Sequence, residues 1–314
     1  MIPGQMHEGE QATDADLVRR LIAAQFPQWT GEPVRPLLSW GTDHALYRVG
    51  DGLLARLPRI GWAVGQVEQD LTWLPRLAPA LPLEIPQPLA LGQPGEGYPW
   101  PWGIYRWLPG EMATLSGVQD DTGLAAQLAA FVLALRRADV TGAPRAESPG
   151  RLLLDLGPHV ERALAESAEL LSPETRHRAT ELWTQAVILP GWSAAPAAVH
   201  GDLHANNLLL RAGRLAAVLD FGLRLDDPAV DLLPAWNTFG PAARATYLRA
   251  LAPDNTTVQR GRALALAKAL LALPYYRHTN PEIVERALFT LEQVTAPPEL
   301  GHPADAPPAP RPLP

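Results

Sequence analysis

The sequence predicts an α+β chain, with a small antiparallel sheet and a helix near the amino terminus and a longer, mostly helical remainder. Three observations carry this. Short apolar runs at 34–40, 44–49 and 53–57 are separated by Gly41-Thr42-Asp43 and Gly50-Asp51-Gly52, and Asp-Gly between apolar runs is a strong hairpin signal. Beyond about residue 108 the apolar spacing changes from period 2 to period 3.6. Within that helical remainder, the polar stretch His200-Gly201-Asp202-Leu203-His204-Ala205-Asn206-Asn207 is set between apolar runs, which reads as buried segments delivering polar groups to one cleft.

The elements follow in order. Residues 1–12 lack any periodic pattern and are expected to be disordered. A helix over 15–26 starts at Thr13 with Asp16 three residues on, a start resembling a capping box, and Leu17, Val18, Leu21 and Ile22 form its apolar stripe. After the three short strands, a helix is expected over 62–77, with Val64, Val67, Leu71, Leu74 and Ala78 at helical spacing. Residues 82–101 are punctuated by proline and fit edge strands and turns. A strand at 102–107 runs into Leu108-Pro109-Gly110; its aromatic residues Trp100, Trp102, Tyr105 and Trp107 read as core. Helices are expected at 118–138, 154–171, 173–187, 241–251, 258–273 and 281–294. The link Arg211-Ala212-Gly213-Arg214 is short enough for a hairpin between 207–211 and 215–220. From 296 to 314 the chain is dominated by Pro and Ala and reads as a disordered tail.

Composition narrows the function classes. The 314 residues, 47% hydrophobic, suffice for one large or two modest domains. A net charge of −7 argues against nucleic acid as a partner, since phosphate backbones are met by clustered Lys and Arg. There is no cysteine, hence no disulfide and no thiolate metal site. No apolar run approaches the length of a membrane span, and the amino terminus has no leader pattern; the expectation is a cytoplasmic protein without a membrane partner. Lys268 is the only lysine.

Asp202, Asn207 and Asp220 carry the chemistry. One amide and one carboxylate oxygen, with a second carboxylate nearby, are what a magnesium-dependent phosphoryl transfer site needs. Mg²⁺ takes one or two protein oxygens and leaves the rest to phosphates and water, while the remaining carboxylate can receive a hydroxyl proton. The pattern His200-x-Asp202-x-His204 also fits a metal cluster. A two-metal hydrolase, however, wants further His, Asp or Asn ligands downstream, and only His278 and His302 remain.

His200-Gly201-Asp202-Leu203 with Asn207 five residues after the Asp, then Asp220-Phe221-Gly222 and Asp227-Pro228-Ala229-Val230-Asp231-Leu232, resembles the aminoglycoside phosphotransferase family of kinase-like small-molecule kinases. The protein-kinase signature has the same constellation. The likeness extends over about residues 30–295 and is strongest at 199–232. It implies a two-lobed protein-kinase-like fold, with an N-lobe at 13–108 and a helical C-lobe at 109–295. It also implies transfer of the γ-phosphoryl of ATP or GTP, with Mg²⁺, to a hydroxyl of a small molecule, either an aminoglycoside-type antibiotic or a related metabolite. A nucleotide-binding regulator without turnover is the alternative.

On this resemblance Asp202 is the catalytic base and Asn207 and Asp220 hold the metal. His200 and Asp231 brace the loop. Ser39 and Thr42 belong to the loop over the phosphates, where small residues let backbone N–H groups approach anionic oxygens. Arg56 stands where kinase-like enzymes place a phosphate-binding lysine; a guanidinium is a competent bidentate phosphate ligand. Glu68 or Asp70 would pair with Arg56. Both border the helix stripe equally, so periodicity does not choose; we favour Glu68. The strand at 102–107 becomes the hinge, with the Arg106 carbonyl and the Leu108 N–H meeting the adenine edge. Asp226, Asp227, Glu282 and Glu285 are read either as acids that meet the ammonium groups of an aminoglycoside or as solvated surface.

Overall fold

The computed structural model describes residues 9–37, 43–147 and 151–296. Ser39 and Thr42 lie outside the described residues, as do residues 1–8 and the Pro/Ala-rich stretch from 297 onward. The chain divides into two compact units. The first comprises residues up to Glu111 with Leu209–Arg211 and Ala216–Phe221; the second comprises Met112–Leu208, Ala212–Leu215 and the residues from Gly222 onward.

In the first unit, α1 (Ala15–Gln25) buries Leu17, Val18, Leu21 and Ile22. Its cap is Asp14, one residue later than expected, whose carboxylate accepts from the Leu17 N–H at 2.7 Å; Thr13 instead accepts a hydrogen bond from the Tyr47 hydroxyl. Residues 9–12, expected to be disordered, are held against the sheet. The Gln11 N–H donates to the Arg59 carbonyl at 2.8 Å, and Glu10 lies 3.9 Å from the Arg59 guanidinium.

Strands β1 (Val34–Pro36), β2 (His44–Val49) and β3 (Leu53–Pro58) precede α2 (Gln66–Leu77), and β4 (Pro88–Gly92) and β5 (Trp102–Arg106) follow it. They form one antiparallel sheet in the order β1-β2-β3-β5-β4. Arg56 on the central β3 sits opposite Leu46 and Gly103. A Cβ at Gly103 would come within 2.7 Å of Val67 on α2, so glycine there lets the helix approach the sheet. The predicted helix start at 62 is replaced by a 3₁₀ turn at Gly61–Ala63 and by Gly65 at φ 95°, which begins α2 at Gln66. The buried stripe is Val67, Asp70, Trp73, Leu74 and Leu77. Leu71, an expected stripe member, is only partly buried, and Asp70 takes an inward position.

Beyond these come β6 (Glu111–Met112), α3 (Leu115–Val118), α4 (Thr122–Arg137), α5 (Leu152–Glu166), α6 (Pro173–Ala186), β7 (Ala197–Val199), β8 (Leu208–Arg211), β9 (Arg214–Val218), β10 (Arg224–Asp226), α7 (Pro234–Asn237), α8 (Pro241–Leu251), α9 (Asn255–Tyr276) and α10 (Pro281–Thr295). The expected hairpin is β8–β9, in a sheet of order β6-β8-β9. The sequence boundary at 108/109 assigned all of it to the second lobe. Its outer residues instead join the first unit, because Leu209, Ala217 and Leu219 cluster with Leu108 and Glu84 exchanges backbone bonds with Ala216 and Val218.

The second unit is built on α9, which packs against α5 and α10, while α4 packs on α8. Gly261 lets α9 close on the 3₁₀ turn Pro228–Leu232, since a Cβ there would lie 2.8 Å from Leu232. Among the described residues no helix is long and apolar enough to cross a membrane.

Candidate active site

In the second unit, β7 leads directly into His200-Gly201-Asp202. Gly201 has φ 91°, and a side chain there would collide with Arg224, so the turn requires glycine. Asp231, fully buried, accepts from the N–H groups of His200 at 2.8 Å and Gly201 at 3.0 Å. Its own carbonyl accepts from the Tyr247 hydroxyl at 2.6 Å. The buried His200 accepts from the Asp202 N–H through Nδ1 at 3.2 Å. These bonds fix the loop from both ends and leave the Asp202 carboxylate 47% exposed.

Three groups face that carboxylate: Lys268 Nζ lies 3.1 Å from Oδ1, and His204 Nε2 and Asn207 Nδ2 each lie 3.4 Å from Oδ2. Partial exclusion of water acts to raise the pKa of Asp202, but Lys268 and His204 outweigh it and hold the carboxyl well below the usual range. Asp202 is therefore ionised at neutral pH. Asn207 donates through Nδ2 to the Asp202 carbonyl at 2.8 Å, which leaves its amide oxygen as the group able to meet a cation.

In the first unit, the buried Arg56 guanidinium meets the Asp70 carboxylate at 3.4 Å and forms an ion pair with Asp220. It also lies 3.2 Å from Nδ1 of His44. Burial, then the charge of Arg56, hold His44 well below its ordinary pKa, so its neutral ring accepts from the guanidinium. Burial pulls the Arg56 pKa down, yet Asp220 and Asp70 more than restore it. Asp70 is 3% exposed and accepts from the Tyr105 hydroxyl at 2.8 Å. Burial pushes its pKa up to about 6 against the opposing pull of Arg56. Asp220 has φ 57°, a left-handed conformation that costs little for Asp but is rarely adopted without cause. Its side chain is nearly half exposed.

At the end of β5 the Arg106 N–H donates to the Gln87 carbonyl and the Trp107 N–H to the Gly52 carbonyl, both at 2.8 Å. Among the described residues no acceptor meets the Leu108 N–H.

The sequence matches the family described as a phosphotransferase enzyme family over residues 35–264. The chain belongs to that family. Solved structures with the same fold include the GDP and kanamycin complex of APH(2")-IIia, at 20% identity and a TM-score of 0.71 over 88% of this chain and 97% of that one. They also include the streptomycin-ATP-APH(2")-IIa ternary complex, at 19% identity and a TM-score of 0.57 over 90% and 97%. A third is the macrolide 2'-phosphotransferase MphH from Brachybacterium faecium, at 21% identity and a TM-score of 0.58 over 91% and 99%. No curated protein matches the sequence.

Two assignments in this phosphotransferase are corrected by the geometry. Glu68 does not pair with Arg56; Asp70 does, because the later start of α2 turns position 70 toward the sheet. Asp226 and Asp227 cannot serve as free acids for an acceptor. Both are buried; Asp226 is paired with Arg224 at 2.9 Å, and Asp227 receives two hydrogen bonds from Arg260, at 2.7 and 3.2 Å. Glu282 is half-buried and Glu285 exposed on α10.

Sequence reasoning missed His44, Tyr105, Lys268 and Arg286, the last of which donates to Nδ1 of His204 at 3.0 Å. Tyr105 had been read as core, which its ring is. Lys268 carried a usable signal, being the sole lysine, but nothing local linked it to a residue 66 positions earlier. Among the described residues there is no group of three or more His, Cys, Asp or Glu side chains that could hold a metal ion.

Proposed function

We propose that this phosphotransferase moves the γ-phosphoryl group of ATP or GTP, with Mg²⁺, onto a hydroxyl of a small molecule. The observation that carries the reading is Asp202: a carboxylate held ionised by Lys268 and His204, fixed by a backbone bonded to Asp231, and open to solvent. Asp202 orients the acceptor hydroxyl and takes its proton. The acceptor oxygen forms the new bond to the γ-phosphorus, the bond from that phosphorus to the β,γ-bridging oxygen breaks, and nucleoside diphosphate leaves. The transition state is loose, so positioning and charge neutralisation matter more than base strength.

The Asn207 amide oxygen and the Asp220 carboxylate would hold Mg²⁺, and both are the hard oxygen donors that this ion takes. When bound, the metal neutralises phosphate charge. Arg56 contributes a fixed positive charge toward the nucleotide phosphates, with Asp70 and Tyr105 holding it. The Arg106 carbonyl and the Leu108 N–H would meet the base, and Ser39 and Thr42 the phosphates. Protein bonds already occupy the N–H groups of Arg106 and Trp107, which supports Leu108 as the donor.

The solved relatives in complex with kanamycin and streptomycin make an aminoglycoside-type antibiotic one acceptor class to test. Single-turnover assays with labelled ATP and GTP, with and without Mg²⁺, against a panel of hydroxylated compounds, test the whole reading. Transfer to a hydroxyl that needs Mg²⁺ is expected; tight nucleotide binding with no transfer to any acceptor would leave the non-catalytic regulator as the better account.

A further inference from the structure

Arg286, on α10, differs from the other interior arginines of the second unit. Arg224 and Arg260 each meet a carboxylate, Arg136 and Arg262 donate to backbone carbonyls, and Arg244 donates to the Gln293 amide oxygen. Among the described residues the Arg286 side chain makes one hydrogen bond, from Nη1 to Nδ1 of His204 at 3.0 Å, and no carboxylate lies within ion-pairing distance of it. A guanidinium has five donors, and its planar fork suits a two-oxygen anion.

Asp202 and Glu282 act on Arg286 through space, but neither is an ion-pair partner of it. His204 turns one ring nitrogen, Nδ1, to Arg286 and the other, Nε2, to Asp202. The nearby acid Glu282 turns to the side chain of Asn206, and burial and Glu285 raise its pKa. Asp202 is already engaged by Lys268 and His204. One imidazole ring separates Arg286 from the Asp202 carboxylate, whereas Lys268 touches that carboxylate directly. Lys268 is therefore the cation placed at the reacting hydroxyl, and Arg286 lies a few bonds further along an acceptor.

Resting on the phosphotransfer reading above, we propose that Arg286 binds an oxyanion, a carboxylate or a phosphate ester, on the acceptor whose hydroxyl Asp202 deprotonates. The acceptor is then a small hydroxylated anion, and a polycation is disfavoured because its ammonium groups would face Arg286 and Lys268. The transfer step is unchanged: the proton passes to Asp202, the phosphoryl group to the hydroxyl oxygen, and nucleoside diphosphate departs.

Calorimetric titration tests this on the full chain, with the nucleotide site filled by Mg²⁺ and a non-hydrolysable ATP analogue. The probes are glycerate, glycerol phosphate, glycerol and kanamycin. Glycerate or glycerol phosphate is expected to bind more tightly than glycerol and kanamycin, and the comparison of the two anions identifies which oxyanion is preferred. Arg286→Gln is expected to weaken the preferred anion about tenfold to hundredfold. Arg286→Lys, which keeps the charge and loses the fork, falls between. Thermal unfolding of both variants checks that they fold, and if Arg286→Gln does not, Arg286→Lys carries the comparison. Kanamycin binding more tightly than both anions, no anion binding to the wild type, or equal anion affinity in a folded variant would each overturn the proposal. Failure of the ATP analogue to bind would count against the phosphotransfer reading alone; the anion titrations on the nucleotide-free protein would still judge Arg286.

Discussion

Around Arg56 a cation is enclosed by the carboxylates of Asp70 and Asp220, whereas around Asp202 a carboxylate is enclosed by Lys268 and His204, with Arg286 one ring beyond. The first cluster is self-neutralising and buried except for the half-exposed Asp220, with Tyr105 and His44 adding hydrogen bonds. The second is half open and keeps its carboxylate charged. The difference teaches where the chain tolerates change. A group locked among counter-charges serves position, while a group left exposed serves chemistry.

The largest expected effect comes from breaking the second region. Asp202→Asn is expected to lower kcat by about 10²–10⁴-fold, the usual range for a lost general base, with little change in nucleotide affinity. Asp220→Ala is expected instead to weaken Mg²⁺-dependent nucleotide binding. Nucleotide titrations beside steady-state kinetics check this, and the reverse pattern would invert the roles of the two acids.

Breaking the first region has a smaller catalytic effect and a visible structural one. Arg56→Met is expected to forfeit a charge-assisted contact of about 1.5–3 kcal/mol, seen as a roughly tenfold to hundredfold fall in kcat/KM for ATP. A lower Tm is also expected, because Asp70 is left buried without its cation. Arg56→Lys is expected to fall between. Glu68→Gln sharpens the comparison: with no tie to Arg56, it is expected to change stability by about 0.5 kcal/mol or less. A large loss in Glu68→Gln beside a silent Asp70→Asn would restore the pairing that the sequence favoured.

The smallest effects concern pH, and the two acids differ in sign. The folded-state pKa of Asp70, about 6, lies above the unfolded value near 4. Its contribution to stability is thus fully present below about pH 4 and is lost as pH rises through about 6. Asp202 has a depressed folded-state pKa; its contribution is present above about pH 4 and is lost as pH falls through that lowered value. Denaturation of Asp70→Asn against wild type from pH 4 to 8 is expected to show the wild type losing its relative advantage between about 4 and 6. Lys268→Met removes the largest influence that lowers the Asp202 pKa, so the acid limb of the kcat/KM profile is expected to move to higher pH. An unmoved limb would mean that Lys268 does not tune the base.

Much of the fold was legible because its signals are local. The Gly50-Asp51-Gly52 turn, the switch from period 2 to period 3.6 and the short Arg211–Arg214 link each depend on neighbours within a few residues, and each corresponds to an observed element. The motif His200-Gly201-Asp202 with Asn207, Asp220 and Asp231 was legible for the same reason, since backbone geometry there demands particular residue types: glycine at a positive φ, and a buried carboxylate for two N–H groups.

Tertiary structure decided which charges meet. Glu68 and Asp70 are equivalent in sequence periodicity, and only a 3₁₀ turn with Gly65 at its end sets the phase of α2 that turns Asp70 inward. Asp226 and Asp227 read as available acids until Arg224 and Arg260 are brought against them. Lys268 and Arg286 reach Asp202 and His204 across 66 and 82 residues of chain. Composition and spacing carry no information about such encounters, because an ion pair is fixed by through-space distance and local dielectric, and those exist only once the helices have packed.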